Sequence, residues 1–221
     1  MLWKAKYDRR CMSTALLYCG MSEGFVIGAD GRGFNKVTGR IETDTERKIF
    51  PFEDQAVSVV FAWAGIVTAR TPDFDFSLVK ETSDLLPQLN FNGLFVQELN
   101  VRLKDRLRSL RVNTTGKCAT GIFLSYLKGL PWVSEITVFK NGRTWDCSVE
   151  ENFANGEVDL VSGPGKTFDK PTSLGQARTM IEAYLQECVA NPTEEIGGHV
   201  HIGRLTPGGF DWILPPNIAA G

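Results

Sequence analysis

The sequence predicts an α+β fold in a single domain. Predicted strands come in blocks separated by blocks of helix, whereas an α/β chain alternates the two elements along its length. The 221 residues are 43% hydrophobic and 23% charged, enough apolar material for one core without disulfides or a structural metal. Because no repeat, low-complexity tract or linker divides the chain, one domain is the economical interpretation.

The first block of strands begins at Thr14. The segments TALLYCG and GFVIGAD are apolar, end in Gly or Asp and flank a short turn, which predicts a hairpin. A second pair is predicted from residues 34–43, around a Thr38-Gly39 turn, followed by KIFPF and AVSVVFAWAG. Two adjoining strand pairs indicate an antiparallel sheet.

Three helices are predicted farther along. A short one covers residues 75–86 between Pro72 and Pro87, and a longer amphipathic one follows Asn92. Strands resume with GIFLSYL, EITVFKNG, TWDCSV and EVDLVSG. The third helix begins at the capping box Ser173-x-x-Gln176, and the strand HVHIGRLT follows it.

Charge and cysteine usage exclude several classes of function. A formal charge of −2 provides no overall basic field for nucleic acid or an acidic membrane surface. The five cysteines are scattered without a C-x-x-C pair, which is typical of a reducing compartment. The first thirteen residues lack the apolar core of a secretory signal, and no apolar run approaches about 18 residues. We therefore expect a cytoplasmic protein.

Two further motifs do not predict a site. The segment SGPGKTF resembles the end of a phosphate-binding loop, but Leu160 stands where the pattern requires its first glycine. His199 and His201 would share one face of a strand, yet no third ligand stands at strand spacing, so we expect neither metal nor cofactor. No G-x-S-x-G motif accompanies these two histidines to form a serine triad.

A nucleophile that needs no histidine is available in the first block of strands. A threonine hydroxyl is a weak nucleophile, but the free α-amine of the same residue has a pKa near 8 and can serve as its base. Thr14 opens the first strand, Asp30 ends the second, and Lys48 opens a later one. A lysine held by an aspartate can assist that proton transfer. The alternative is a strand threonine, a turn aspartate and a surface lysine without a common role.

The sequence around these residues resembles that of proteasome β-type subunits, which are N-terminal-nucleophile hydrolases of the threonine protease class. The similarity is carried by STALLYCGMSEGFVIGADGR, ERKIFPF and FAWAGI. It extends more loosely over most of residues 14–215. It implies a four-layer αββα sandwich, with residues 1–13 as a propeptide and residues 14–221 as a single domain.

The resemblance also implies roles for individual residues. Four positions match the catalytic set, namely Thr14, Asp30, Lys48 and Gly65, the last offering its backbone N–H to the oxyanion. Arg32 and Trp63 match positions beside the substrate. The large ring of Trp63 would shorten the specificity pocket or close it, and the alternative is a tryptophan that fills space between the two sheets.

Several positions depart from the family pattern. Ser13 stands before the threonine where glycine is usual, and serine adopts the strained backbone that cleavage needs at a cost of roughly 1–2 kcal/mol. Pro164 replaces a serine near the threonine amine, and Thr193 and Ile196 replace a supporting Asp and Ser. Pro72 interrupts the first helix. These changes predict low or altered peptidase activity.

The resemblance implies a threonine-type endopeptidase that assembles as a homo-oligomeric ring. Its substrate would be a peptide or an unfolded protein, supplied by an ATP-driven unfoldase. Two alternatives stay open. The first is an unprocessed, inactive ring-forming scaffold, and the second is an amidase that acts on a small molecule.

Overall fold

The computed structural model describes residues 11–216 apart from 13, 36–37, 55–56, 67, 72–73, 92–93, 109 and 111–114. In chain order the strands are β1 (Cys11–Met12), β2 (Leu16–Met21), β3 (Gly24–Asp30), β4 (Gly33–Asn35), β5 (Arg40–Thr43), β6 (Ile49–Glu53), β7 (Ser58–Ile66), β8 (Thr68–Thr71), β9 (Phe74–Ser77), β10 (Gly116–Leu127), β11 (Leu130–Asn141), β12 (Thr144–Phe153), β13 (Val158–Ser162), β14 (Val200–Thr206) and β15 (Gly209–Leu214). The α-helices are α1 (Leu78–Leu85), α2 (Phe95–Leu107) and α3 (Leu174–Ala190), and a 3-10 turn (Leu86–Gln88) follows α1.

The larger sheet has the strand order β1-β7-β10-β11-β12, with all neighbours antiparallel. Strands β10 and β11 are joined by Lys128 and Gly129, which both have positive φ, as a two-residue hairpin turn requires. Strand β6 also pairs with β7, on the edge that faces away from β10. The same edge continues at Gly65 and Ile66, where β1 pairs with it.

The smaller sheet has the order β13-β2-β3-β14-β15, again antiparallel throughout. The predicted hairpin from Thr14 to Asp30 is present as β2 and β3. Strand β3 is buried along its whole length because β2 and β14 flank it and α3 packs against it. Two separate hairpins, β4-β5 and β8-β9, complete the described strands.

Three apolar clusters hold these elements together. One lies between the larger sheet and the helices α1 and α2, and a second lies between the smaller sheet and α3. The third joins the facing sides of the two sheets. Strand β7 shows how one sequence serves two clusters, because Phe61 and Trp63 face the helices while Ala62 and Ala64 face the other sheet.

The expected four-layer αββα sandwich is wrong as a description of this chain. The described residues form mostly antiparallel β-sheet, with more than twice as many residues in strands as in helices. The three helices of the described chain have only 8, 13 and 17 residues, whereas the same residues form 15 strands. The physical reason is the long meander β10-β11-β12, whose alternating side chains and tight turns keep 34 residues extended (12, 12 and 10).

Helix boundaries follow capping side chains. The helix predicted over residues 75–86 begins only at Leu78, because Ser77 acts as N-cap and its Oγ accepts the N–H of Lys80. Pro87 lies in the 3-10 turn that follows. At the third helix, the predicted cap is present, with Ser173 Oγ accepting the N–H of Gln176. Pro72 lies outside the described residues.

No helix in the described part of the chain combines the length and the apolar character needed to cross a membrane.

The buried face of α2 provides a stability test. Leu99 is fully buried against the larger sheet, whereas Val101 on the same helix is 60% exposed. We expect Leu99→Ala to lower the free energy of unfolding by about 2–5 kcal/mol, because it leaves a cavity in the cluster. Val101→Ala, the control, changes it by less than about 0.5 kcal/mol. Urea denaturation measures both, and equal effects would contradict the proposed packing.

Candidate active site

Asp30, at the end of β3, is the centre of a buried polar cluster. Its Oδ1 accepts the main-chain N–H of Ala15 at 2.8 Å and the Lys48 ammonium at 3.0 Å. Its Oδ2 accepts the N–H groups of Gly197 at 2.9 Å and Arg32 at 3.3 Å. Four donors thus satisfy the oxygens of a fully buried carboxyl group.

Thr14 lies beside this cluster. Its side chain is fully buried, and the next residue, Ala15, exchanges two hydrogen bonds with Asp30. The Ala15 N–H donates to the Asp30 carboxylate, while the Asp30 N–H donates to the Ala15 carbonyl at 3.1 Å. This double contact fixes the start of β2 against the end of β3. Thr14 thus directly precedes Ala15, a residue whose N–H donates to the Asp30 carboxylate.

Lys48 immediately precedes β6 and is also fully buried. Burial lowers the pKa of its ammonium, and the negative charge of Asp30 opposes that shift. The ion pair between the two side chains has no exposed atoms, so solvent and salt screen it weakly. A buried lysine whose pKa is lowered toward neutrality is suited to exchange a proton with a neighbouring amine.

Gly65 lies on β7 next to the segment that leads to Thr14. Its φ is +97°, and a Cβ there would collide with the carbonyl oxygen of Cys118 on the neighbouring strand. Only glycine fits this position without strain. Gly65 pairs with Met12, two residues before Thr14, so the leading segment runs along the edge of β7 as an added strand. Ser13, the predicted cleavage position, lies outside the described residues.

The loop after β13 approaches the same place. Gly163 has a φ of +130°, and a Cβ built there would lie 3.3 Å from the Ala15 Cα and 2.6 Å from the Tyr184 hydroxyl. The Tyr184 hydroxyl donates to the Pro164 carbonyl at 2.7 Å. Tyr184 therefore ties the Pro164 loop to α3 near Thr14. The sequence analysis identified the proline but not its tyrosine partner.

Arg32 is occupied by protein groups. Its guanidinium forms a two-point ion pair with Asp44, at 2.7 and 3.3 Å, and donates to the Thr193 carbonyl at 2.6 Å. Only 11% of the side chain is exposed. In this position it joins the loop before β6 to the loop before β14, and contact with a substrate stays a prediction.

Trp63 lies in the apolar cluster on the helix side of the larger sheet. It is fully buried, contacts Phe123 edge to face and donates its indole N–H to Thr82 Oγ1 on α1 at 3.0 Å. The ring fills space under α1, not between the two sheets as the alternative interpretation proposed. A role in a specificity pocket stays a prediction.

His201 is the residue whose place the sequence analysis missed. It stands on β14 with no exposed surface, and its Nε2 accepts the main-chain N–H of Lys48 at 3.2 Å. His199 precedes β14, and its Nε2 lies 2.9 Å from the Pro215 carbonyl oxygen. The described residues contain no group of three His, Cys, Asp or Glu side chains that could hold a metal ion. An apolar surround in VHI was the available signal that His201 is buried.

A cavity of about 310 Å³ lies elsewhere, between β2 and the β11-β12 hairpin. Glu135 and Glu150 face each other across two strands in its wall, and burial raises the pKa of Asp159 nearby. None of the four predicted catalytic residues lines it. This cavity is therefore separate from the polar cluster at Asp30.

Loss of the central charge provides a first test of this site. We expect Asp30→Asn to lower the free energy of unfolding by about 3–5 kcal/mol at pH 7, because the buried Lys48 ammonium loses its counter-charge. Asp211→Asn makes the same chemical change at the exposed pair with Arg204 and costs less than about 1 kcal/mol. Urea denaturation compares the two, and similar losses would show that Asp30 does not carry a buried pair.

Acid provides a second test, through His201. Burial, with the nearby charge of Lys48, lowers its pKa from 6.5 to about 3. Between these values the unfolded chain binds a proton that the folded protein excludes, so stability falls as the pH drops below 6.5. The expected loss from this group is on the order of 3 kcal/mol at pH 4. Denaturation of His201→Gln across the same range should lack this component, and equal acid sensitivity in both proteins would contradict it.

Comparison with known proteins returned no match, either to a protein-family model or to a curated protein sequence.

Proposed function

We propose that the protein is a threonine-type peptidase whose nucleophile is Thr14, released as a new N-terminus by self-cleavage after Ser13. One observation carries the proposal. The buried Asp30 carboxylate holds the Lys48 ammonium and the main-chain N–H that follows Thr14 on the same oxygen atom. A chain without a reaction to perform gains little from burying a lysine there, because burial of an ion pair is weak as a source of stability.

The proposed chemistry uses these groups in sequence. In the processed chain the hydroxyl of Thr14 attacks a peptide carbonyl, and its own α-amine accepts the proton. The Lys48 ammonium lowers the pKa of that amine by its charge and assists the transfer, while Asp30 keeps the lysine in place. The backbone N–H of Gly65 stabilises the oxyanion. The scissile C–N bond then breaks, the α-ammonium of Thr14 gives its proton to the departing amine, and an ester is left on the Thr14 oxygen. Water hydrolyses this ester, which releases the product carboxylate and regenerates the hydroxyl.

Release of the nucleophile follows the same logic. The Thr14 Oγ attacks the carbonyl carbon of Ser13, the C–N bond breaks, and the nitrogen takes the proton that the hydroxyl gives up. Water hydrolyses the resulting ester, leaving a carboxylate on Ser13 and a free amine on Thr14. The pairing of β1 with β7 supports this proposal, because it holds Cys11 and Met12 extended just before Ser13.

The same pairing supports a second candidate, a ring-forming scaffold in which the bond is never cut. With β1 on the edge of β7 and Thr14 fully buried, an added peptide has no place beside Gly65. An uncut chain would therefore be proteolytically silent. For either candidate we propose a cytoplasmic homo-oligomeric ring. The active form would take peptides or unfolded proteins, delivered by an ATP-driven unfoldase.

Intact mass of the purified protein tests the proposal. We expect the wild type to lose residues 1–13, and Thr14→Ala to retain them, because alanine has no hydroxyl to attack the Ser13 carbonyl. Thr14→Ser keeps the hydroxyl and should be processed. Lys48→Met should slow processing by at least about 100-fold.

A wild-type chain that stays full length, like Thr14→Ala, would overturn the peptidase and leave the scaffold. Sedimentation of both proteins reports ring formation independently of cleavage. Hydrolysis of short peptides compared with small acyl amides by the processed wild type separates a peptidase from an amidase.

A further inference from the structure

We propose that His201 is a positioning residue for Lys48. Its imidazole Nε2 accepts the main-chain N–H of Lys48 and fixes the backbone from which that lysine reaches Asp30. The role rests on the proposed function, in which Lys48 takes part in proton transfer to the Thr14 amine. His201 itself touches neither the nucleophile nor the substrate in this scheme.

Contacts among Asp30, Lys48 and His201 form a closed circuit. His201 pairs with Ala29 across β14 and β3, and the next pair along this ladder is Val200 with Asp30. Asp30 binds the Lys48 side chain, and Lys48 returns to His201 through its main-chain N–H. The side chain of Lys48 is therefore bound to β3 and its main chain to β14. Removing the imidazole breaks the main-chain contact of this circuit.

The hydrogen bond to Lys48 sets the tautomer of the His201 imidazole. Because Nε2 accepts a hydrogen bond, the proton of the neutral ring must sit on Nδ1. That atom is buried and has no hydrogen-bond partner among the described residues. A buried polar atom left unpaired is costly, so an apolar side chain would suit this strand position better if packing were its only role. The bond to Lys48 is the compensating interaction.

Burial and nearby positive charges set the protonation state of His201. The cationic groups that face the ring from the adjoining segment are Lys48 and Arg47, with His199 two residues away on its own segment. Together with burial they hold the pKa of His201 at about 3. The ring is therefore neutral at any pH where the peptidase could work, and it positions Lys48 without adding a competing positive charge.

The tautomer can be measured directly in the full-length chain. The sequence contains two histidines, so ¹⁵N-histidine labelling and solid-state NMR give one imidazole pair for each. We expect His201 at pH 7 to be neutral with its proton on Nδ1. A proton on Nε2, or an imidazolium, would overturn the proposal. The measurement is made on Thr14→Ala, which retains residues 1–13, and it needs no activity.

Variants then test the consequence. In a Thr14→Ala background, His201→Leu should speed hydrogen exchange in the peptide that contains the Lys48 amide by at least about tenfold. His201→Gln, whose side-chain oxygen can accept the same N–H, should restore protection. His199→Leu is the matched control and should leave exchange unchanged. Unchanged exchange in His201→Leu would contradict the proposal.

With Thr14 present, His201→Leu should slow release of residues 1–13 by about 10- to 100-fold and shift its pH profile, and His201→Gln should recover both. A merely structural role would lower stability without moving the pH profile. If the wild type itself never cleaves, the peptidase proposal fails, while the tautomer and exchange results still decide whether His201 positions Lys48.

Discussion

A buried ion pair between Asp30 and Lys48 determines which segments of the chain must come together in this structure. Two opposite charges without solvent contact are tolerated only when the remaining lone pairs and protons find partners. Asp30 meets that demand with donors from distant parts of the chain, at residues 15, 32, 48 and 197. The start of β2, the end of β3, the approach to β6 and the loop before β14 must therefore assemble together. The charge pair converts four separate segments into one junction between the two sheets.

Rigid β-structure around this junction explains how so polar a cluster is kept dry. Strand β3 is buried along its length, and three apolar clusters surround the two sheets. The loops that reach the junction are tied down in turn, by the Arg32 pair with Asp44 and by the Tyr184 bond to Pro164. Groups locked by such supporting contacts keep a catalytic geometry to within fractions of an ångström. The same burial covers Thr14, Asp30 and Lys48, so the proposed peptidase would have to remove its leading segment before a substrate could enter.

Local structure was the part that the sequence predicted well. The apolar face of α2, with Leu99 and Leu103 at helical spacing, is buried as expected, and the Ser173 side chain caps α3. The predicted four-layer αββα sandwich was wrong, because much more of the chain forms strands and hairpin turns than forms helices. For Trp63, period-2 alternation on β7 gives two faces, and only the packing of α1 shows that the ring lies on the helix side.

For the site, the sequence by itself determined the chemical types: a threonine at the start of one strand, an aspartate at the end of the next, and a lysine 18 residues later. It also determined that histidine was scarce. The tertiary structure alone decided that Asp30 binds Gly197 across 167 residues and that His201 binds Lys48 across 153. Periodicity states which face of an element a residue occupies, whereas such long-range partners depend on how separate elements pack, and no local pattern encodes that.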